Sequence, residues 1–338
     1  MKLPVAPYKR GLRFYSDKLR GGDALVVQFK WYTVHDPVWF HQMGDIYPDI
    51  GGIVNMTGFS ADYESFFIGE GGLKIFYRRY QANPEKARMV IAHGLGEHSG
   101  RYGNVVERLL PEGISVWALD HRGHGQSDGT RGHVFAFFQY VAELSKLVEM
   151  ASYGIAEGVK VFLLGHSLGG LIALRFAADF SKMVDGVIVS SPALGLPGDL
   201  PAVKAFVGRI MSAIWPTFSL ANELDVPKIC HDEGVVCAYR DDPLVHDRVT
   251  ARWFTEFLSA MEAANHSATE IKVPLLMQLA GDDHLTNVDA STSFFDALGS
   301  DDKTLYVYDG LYHEIYNERE EQRKQVLDDL DAWLLKHI

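Results

Sequence analysis

The sequence predicts an α/β fold: a mostly parallel eight-stranded sheet flanked by helices, with a helical cap inserted late in the chain. Three observations carry this. From residue 61 onward, short β-branched and aromatic runs alternate with longer helical stretches. The hexapeptide "GHSLGG" (165–170) falls between "GVKVFLLG", which reads as a strand buried on both faces, and "LIALRFAADF", an apolar helical pattern. The alternation then breaks over residues 193–272, a stretch too long for an ordinary connection.

Four segments follow. Residues 1–60 are rich in aromatics ("VVQFKWYTVHDPVWFHQMGDIY") without clear periodicity and are too apolar for a disordered tail, so they are expected as an extension packed on the core. Residues 61–192 form the first part of the core, with strands at "ESFFIG", "LKIFYRRY", "RMVIAHG", "ISVWALD", "KVFLLG" and "GVIVSS". The tight link "EGG" makes the first two an antiparallel edge hairpin. Residues 193–272 hold two helical patterns, "PAVKAFVGRIMSAIW" and "TARWFTEFLSAMEAA", interrupted by "DDPLVH", and are expected as a cap above the carboxyl ends of the strands. Residues 273–338 complete the core with "PLLMQLAG", "TLYVYDG" and the amphipathic helix "EEQRKQVLDDLDAWLLKHI".

A net charge of −12 and the lack of a basic cluster argue against nucleic-acid binding. No apolar run reaches the length of about eighteen residues that a membrane span needs, and the first residues lack a continuous apolar leader, so a cytoplasmic protein is expected. Two cysteines, Cys230 and Cys237, give no disulfide framework and are expected as free thiols. Without a Walker or dinucleotide fingerprint, no cofactor is expected. Nothing in the sequence sets an oligomeric state.

The chemistry centres on Ser167. A serine between a buried strand and a helix occupies a sharp turn, which Gly165 and Gly169 permit, and the helix that starts beneath it brings free N–H groups and a positive dipole end. A plain packing turn is the other reading of the hexapeptide, so partners must decide. "HGLGEHSGRY" (93–102) can aim the backbone N–H of Leu95 at the serine, with the N–H of Leu168 as second donor, while His93 reads as structural. Among 14 histidines, His313 in "DGLYHEIYNE" follows the last strand at the sheet edge where ligands bind, and His284 has a similar address. "LAGDDH" puts Asp282 and Asp283 at the end of the preceding strand. Serine, then acid, then histidine is the order expected of hydrolases built this way.

The blocks "HGLGEHSGRY", "DHRGHGQSDGTRGHV", "GHSLGG", "DPLVH", "AGDDHLT" and "DKTLYVYDGLYHEIYNE" resemble, in order and spacing, those of α/β-hydrolases of the monoacylglycerol lipase and lysophospholipase group, over residues 62–338. The resemblance implies the α/β-hydrolase fold, Ser167 as nucleophile, Asp283 as acid, His313 as base, and Leu95 and Leu168 as oxyanion-hole residues. Asp283 is preferred to Asp282 because the family's acid is followed by a variable and then an apolar residue, which "DHL" fits. In some members a polar residue three positions after the histidine touches the glycerol head group; here it is Tyr316. Glu97 and Arg101 are further head-group candidates, or they pair with each other at i, i+4. Asp120, Arg122 and Ser127 are expected to tie a glycine-rich loop together.

The expected activity is cleavage of lipid carboxylic esters, monoacylglycerol first, through an acyl-enzyme; a lysophospholipase or broad carboxylesterase is the alternative. An amidase or peptidase, or a binding protein without catalysis, stands further off. The expected partner is a small-molecule lipid ester, with transient membrane contact through the cap: "AVKAFVGRIMSAIWPTFSL" suits a lipid tunnel or surface, or simply a core face.

Overall fold

The eight β-rich runs form one sheet. Its strands are β1 (Tyr63–Ile68), β2 (Lys74–Tyr80), β3 (Ala87–Ala92), β4 (Ile114–Leu119), β5 (Lys160–His166), β6 (Gly186–Ser190), β7 (Leu275–Ala280) and β8 (Lys303–Tyr308). They lie in the order β1-β2-β4-β3-β5-β6-β7-β8. β2 pairs antiparallel with β1 and β4, and every other pair is parallel. The expected edge hairpin is present. The computed structural model describes residues 10–12, 31–33, 61–198 and 202–338.

The chain divides into two units, 1–51 and 52–338. In the first, Arg10–Leu12 pairs antiparallel with Trp31–Thr33. The expected packing of residues 1–60 on the core lies outside the described residues.

Burial explains why the central strands read as continuous apolar runs: β4 and β7 are buried at every position, whereas the edge strand β1 buries only Phe67. Alternation along β3 feeds two cores. Val90 and Ala92 join one face of the sheet, covered by α2 (Phe138–Ser152) and α3 (Leu168–Phe180), while Met89 and Ile91 join the other, covered by α1 (Gly103–Leu109) and the C-terminal helix Glu320–His337.

Between β6 and β7 the chain builds α4 (Ala202–Ile214), a short antiparallel ribbon of Ser219–Ala221 with Arg248–Thr250, α5 (Glu233–Asp241) and α6 (Ala251–Ser267). The two long helices divide the readings left open for this segment. α6 buries Trp253, Phe257, Ala260 and Ala264 in the core beside α3. α4 rests on α6, with Ser212 Oγ 2.8 Å from Thr255 Oγ1, and leaves Val203, Phe206, Val207, Ile210 and Ile214 exposed.

Candidate active site

Ser167 stands between β5 and α3 with φ 53° and ψ −117°, a backbone conformation that costs a non-glycine residue about 1–3 kcal/mol. Three backbone hydrogen bonds hold the turn: Ser167 N donates to Ser190 O at 3.0 Å, and Ser167 O accepts from Leu171 N at 3.1 Å and Ala193 N at 3.0 Å. The flanking glycines are required by close approach, since a Cβ at Gly169 would collide with the Ala92 carbonyl and one at Gly165 with the Gly169 carbonyl. The strand-to-helix turn thus lifts the hydroxyl above the sheet edge, at the positive end of α3.

His313 Nδ1 donates to Asp283 Oδ2 at 2.8 Å, leaving Nε2 as the acceptor. Asp283 is fixed in turn, accepting from Leu285 N (2.8 Å), Thr286 N (2.9 Å) and Thr286 Oγ1 (2.8 Å). The side chains of His313 and Asp283 are 5% and 1% exposed. Burial alone would push the Asp283 carboxyl up, but the charge and hydrogen bond of His313 and the two backbone donors hold it at about 2. Burial likewise opposes charge on His313, yet Asp283 outweighs it and the imidazole titrates above its ordinary value. Asp282 is more than half exposed, and its carboxylate lies 3.4 Å from His284. Of the two adjacent carboxylates, Asp283 is the one joined to His313.

The sequence reading missed His166, the residue before the serine. Its ring centroid lies 4.7 Å from that of His313, and its Nδ1 is 3.2 Å from Ser190 Oγ. Burial, then the neighbouring His313, lowers its pKa to about 4, so the two imidazoles are pushed apart, His166 below its ordinary value and His313 above it. The second position of G-x-S-x-G is the signal that was available for it.

Leu168 opens α3, so its N–H belongs to the first turn, which has no acceptor within the helix. At the facing loop, His93 Nδ1 donates to Gly94 O at 2.7 Å and His93 Nε2 accepts from His121 N at 2.9 Å, which requires a neutral ring. Burial agrees, lowering the His93 pKa to about 3. Because C=O and N–H oppose each other across a trans peptide, holding Gly94 O on the His93 side fixes the direction of the Leu95 N–H. Asp120, Ser127 and Arg122 brace the neighbouring loop as expected. Asp120 accepts from Ser99 N and Gln126 N, Ser127 Oγ accepts from Phe76 N, and Arg122 pairs with Glu143.

Ser167, Leu168, Leu95, His166 and His313 line one cavity of about 410 Å³. Its walls are largely apolar, with Leu196, Leu224, Val249, Trp253, Phe254 and Phe257, and its polar lining includes Glu97, Glu223, Asp225 and Glu314. Among the described residues no lysine or arginine lines it, and no group of three or more His, Cys, Asp or Glu side chains is arranged to hold a metal ion.

The proposed head-group contacts need correcting. Arg101 and Tyr316 do not line this cavity. They border a separate void of about 10 Å³, room for one water at most and none for a glycerol unit. Arg101 is held by carboxylates: Nη1 and Nη2 donate to Glu314 and Nη1 also to Glu97, each at 2.7 Å. Glu97 does line the cavity, but its carboxylate also accepts from Gly94 N and Tyr102 OH. Tyr316 OH donates to Gln278 Oε1 at 2.6 Å, and Gln278 Nε2 donates to Tyr308 OH at 2.6 Å and Val326 O at 2.9 Å. That network satisfies the side chain of a buried glutamine within β7. Tyr316→Phe orphans Gln278 Oε1, so we expect a loss of about 1–3 kcal/mol of stability. The preference between glycerol and phenyl esters should not change. Thermal melts and the ratio of the two hydrolysis rates check this.

The profile of the family described as Serine aminopeptidase, S33, matches residues 83–320. The chain is 33% identical to the monoacylglycerol lipase of Mycolicibacterium smegmatis over 81% of its own length and 98% of that protein. It is 32% identical to the phospholipase YtpA of Bacillus subtilis, over 72% of the chain and 93% of the relative. The crystal structure of Paleococcus ferrophilus monoacylglycerol lipase superposes with a TM-score of 0.72 at 34% identity, covering 78% of this chain and 99% of that one. Fold, turn geometry and these likenesses agree that the chain belongs to the S33 family of α/β-hydrolases and is a carboxylic ester hydrolase of the monoacylglycerol lipase-like kind.

Proposed function

We propose that this chain hydrolyses monoacylglycerols, with Ser167 as nucleophile, His313 as general base, Asp283 as its orienting acid, and the N–H groups of Leu95 and Leu168 as oxyanion donors. The observation that carries the reading is the buried Asp283–His313 bond of 2.8 Å opening, with Ser167, on one apolar cavity. His313 Nε2 takes the proton of Ser167 Oγ as Oγ bonds to the ester carbonyl carbon, and the carbonyl electron pair moves onto oxygen between the two N–H donors. Return of that pair breaks the bond to glycerol oxygen, which leaves with the proton from His313. Water, deprotonated by the same imidazole, then bonds to the acyl carbon, the bond from that carbon to Oγ breaks, and Ser167 Oγ takes the proton back from His313 as the fatty acid leaves.

The apolar wall suits an acyl chain. The carboxylates Glu223 and Asp225, with no described cation in the lining, favour a neutral head group over a phosphate. The same carboxylates would also fit a substrate amine, so aminoacyl anilides belong in the test. Hydrolysis rates are to be compared for monoacylglycerols, p-nitrophenyl esters, lysophosphatidylcholine and aminoacyl anilides. Preference for monoacylglycerol supports the reading, and preference for any other class replaces it.

Among the described residues no helix is long and apolar enough to cross a membrane. The placement we propose is cytoplasmic with peripheral lipid contact, through the exposed Val203, Phe206, Ile210 and Ile214 of α4. Phe206→Asp with Ile210→Asp is expected to cut vesicle binding about tenfold or more and to leave hydrolysis of a soluble short-chain ester unchanged. Flotation with vesicles and a soluble ester assay check the two halves.

A further inference from the structure

Glu314 follows His313 directly, and its carboxylate is held by both terminal nitrogens of Arg101, at 2.7 Å each. Arg101 NH1 also donates to Glu97 Oε2 at 2.7 Å. The other Glu97 oxygen accepts from Gly94 N at 2.6 Å and Tyr102 OH at 2.9 Å. Gly94 is therefore held on both sides, its N–H by Glu97 and its carbonyl by His93. One guanidinium thus joins the loop that carries Leu95 to the loop that carries His313, 213 residues apart in sequence.

This is not a casual surface pair. The three side chains are 9%, 5% and 7% exposed for Arg101, Glu97 and Glu314, and the Tyr239 ring lies 4.6 Å from the Arg101 guanidinium carbon. Taking three charges out of water is justified only where each is paired and hydrogen-bonded, as here. Asn317 Nδ2 donates to Glu314 Oε2 at 2.9 Å, and Glu314 N donates to Ile229 O at 2.7 Å, so the histidine loop is fixed from several directions. A planar fork suits this arrangement, because a lysine ammonium is a single point and does not reproduce the two parallel bonds to Glu314.

We propose that Glu97, Arg101 and Glu314 form a positioning clamp that holds the oxyanion loop and His313 in register for attack by Ser167. The inference rests on the catalytic reading above. Attack needs the Leu95 N–H and the His313 imidazole placed together, and a misplacement of about 1 Å costs on the order of a hundredfold in rate. Two carboxylates against one guanidinium also leave net negative charge near His313. The titratable groups that act on His313 are Asp283, His166, Glu97 and Glu314, and the three carboxylates favour the imidazolium that forms during attack. Arg101, the centre of the clamp, does not line the substrate cavity, so the effect of losing its fork is independent of the leaving group.

The test is kcat/KM against pH for the wild type, Arg101→Lys and Glu314→Gln, on a monoacylglycerol and on the p-nitrophenyl ester of the same acyl chain, with thermal melts alongside. Arg101→Lys is expected to lose about 10- to 100-fold on both esters by the same factor. Glu314→Gln keeps the shape and removes a charge that favours the imidazolium, so the acid limb should move to lower pH. Should Arg101→Lys fail to fold, Glu314→Gln carries the test alone. A loss confined to the monoacylglycerol would make these residues head-group contacts and overturn the clamp. So would unchanged rates with an unmoved acid limb. A wild type inactive on both esters would instead overturn the catalytic reading, and the clamp with it.

Discussion

Ser167→Ala is expected to lower kcat for ester hydrolysis by about 10⁴-fold or more while the protein remains folded. The hydroxyl is the group that would carry the acyl chain, and no other described residue offers a nucleophile on the same strand-to-helix turn. The variant should fold because the turn is held by backbone bonds to Ser190, Leu171 and Ala193, none of which uses the side chain. Alanine retains the strain at φ 53°, whereas glycine relieves it. Ser167→Gly should therefore be equally inactive yet melt higher than Ser167→Ala. Rates on a soluble ester and melting curves for both variants give the answer, and the opposite order of melting would mean that the turn is not strained in solution.

Asp283→Asn is expected to cost about 10³- to 10⁴-fold in kcat with little change in KM. An amide at this position donates to His313 Nδ1 and forces the proton onto Nε2, the nitrogen that must take the serine proton. Removing the carboxylate also lowers the His313 pKa, so the residual activity should show its acid limb at lower pH than the wild type. The stability signs follow. The Asp283 pKa drops from 3.8 to about 2 on folding, so its contribution is full above 3.8 and fades as the pH falls toward 2. The His313 pKa rises above 6.5, so its contribution is full below 6.5 and fades as the pH climbs through the raised value. The melting gap between wild type and Asp283→Asn should thus be widest where both are charged, between roughly pH 4 and 6.5. Melting curves and kcat profiles across pH 3–9 read both effects.

Much of this architecture was legible because it depends on local signals. Strands buried on both faces must be continuous apolar runs, so β3 through β7 announced themselves, and the address of a residue at a strand's carboxyl end survives folding unchanged. Ser167, His313 and the pair Asp282 and Asp283 were singled out by address. Partnership was harder to read. Which of two adjacent carboxylates meets His313 depends on backbone direction after β7, and the family's sequence pattern, not the residues alone, pointed to Asp283. Tyr316 was assigned to the head group by its place three positions after His313 in the family's pattern, and its real partner, Gln278, is 38 residues away in the middle of a strand, where a polar side chain gives no sequence cue. Arg101 read as an i, i+4 partner of Glu97, which it is, but Glu314 lies too far along the chain to be inferred. Amphipathicity could not separate α4 from α6 either, since an apolar stripe looks the same whether it meets a core or faces outward.

In the proposed reaction a monoacylglycerol acylates Ser167. The most direct measurement is rapid acid quenching of the enzyme during turnover of a monoacylglycerol, followed by peptide mass spectrometry. An acyl ester on the peptide that contains Ser167, absent from Ser167→Ala, is the expected result. Steady turnover with no acyl group on that peptide, or turnover undiminished in Ser167→Ala, would contradict it.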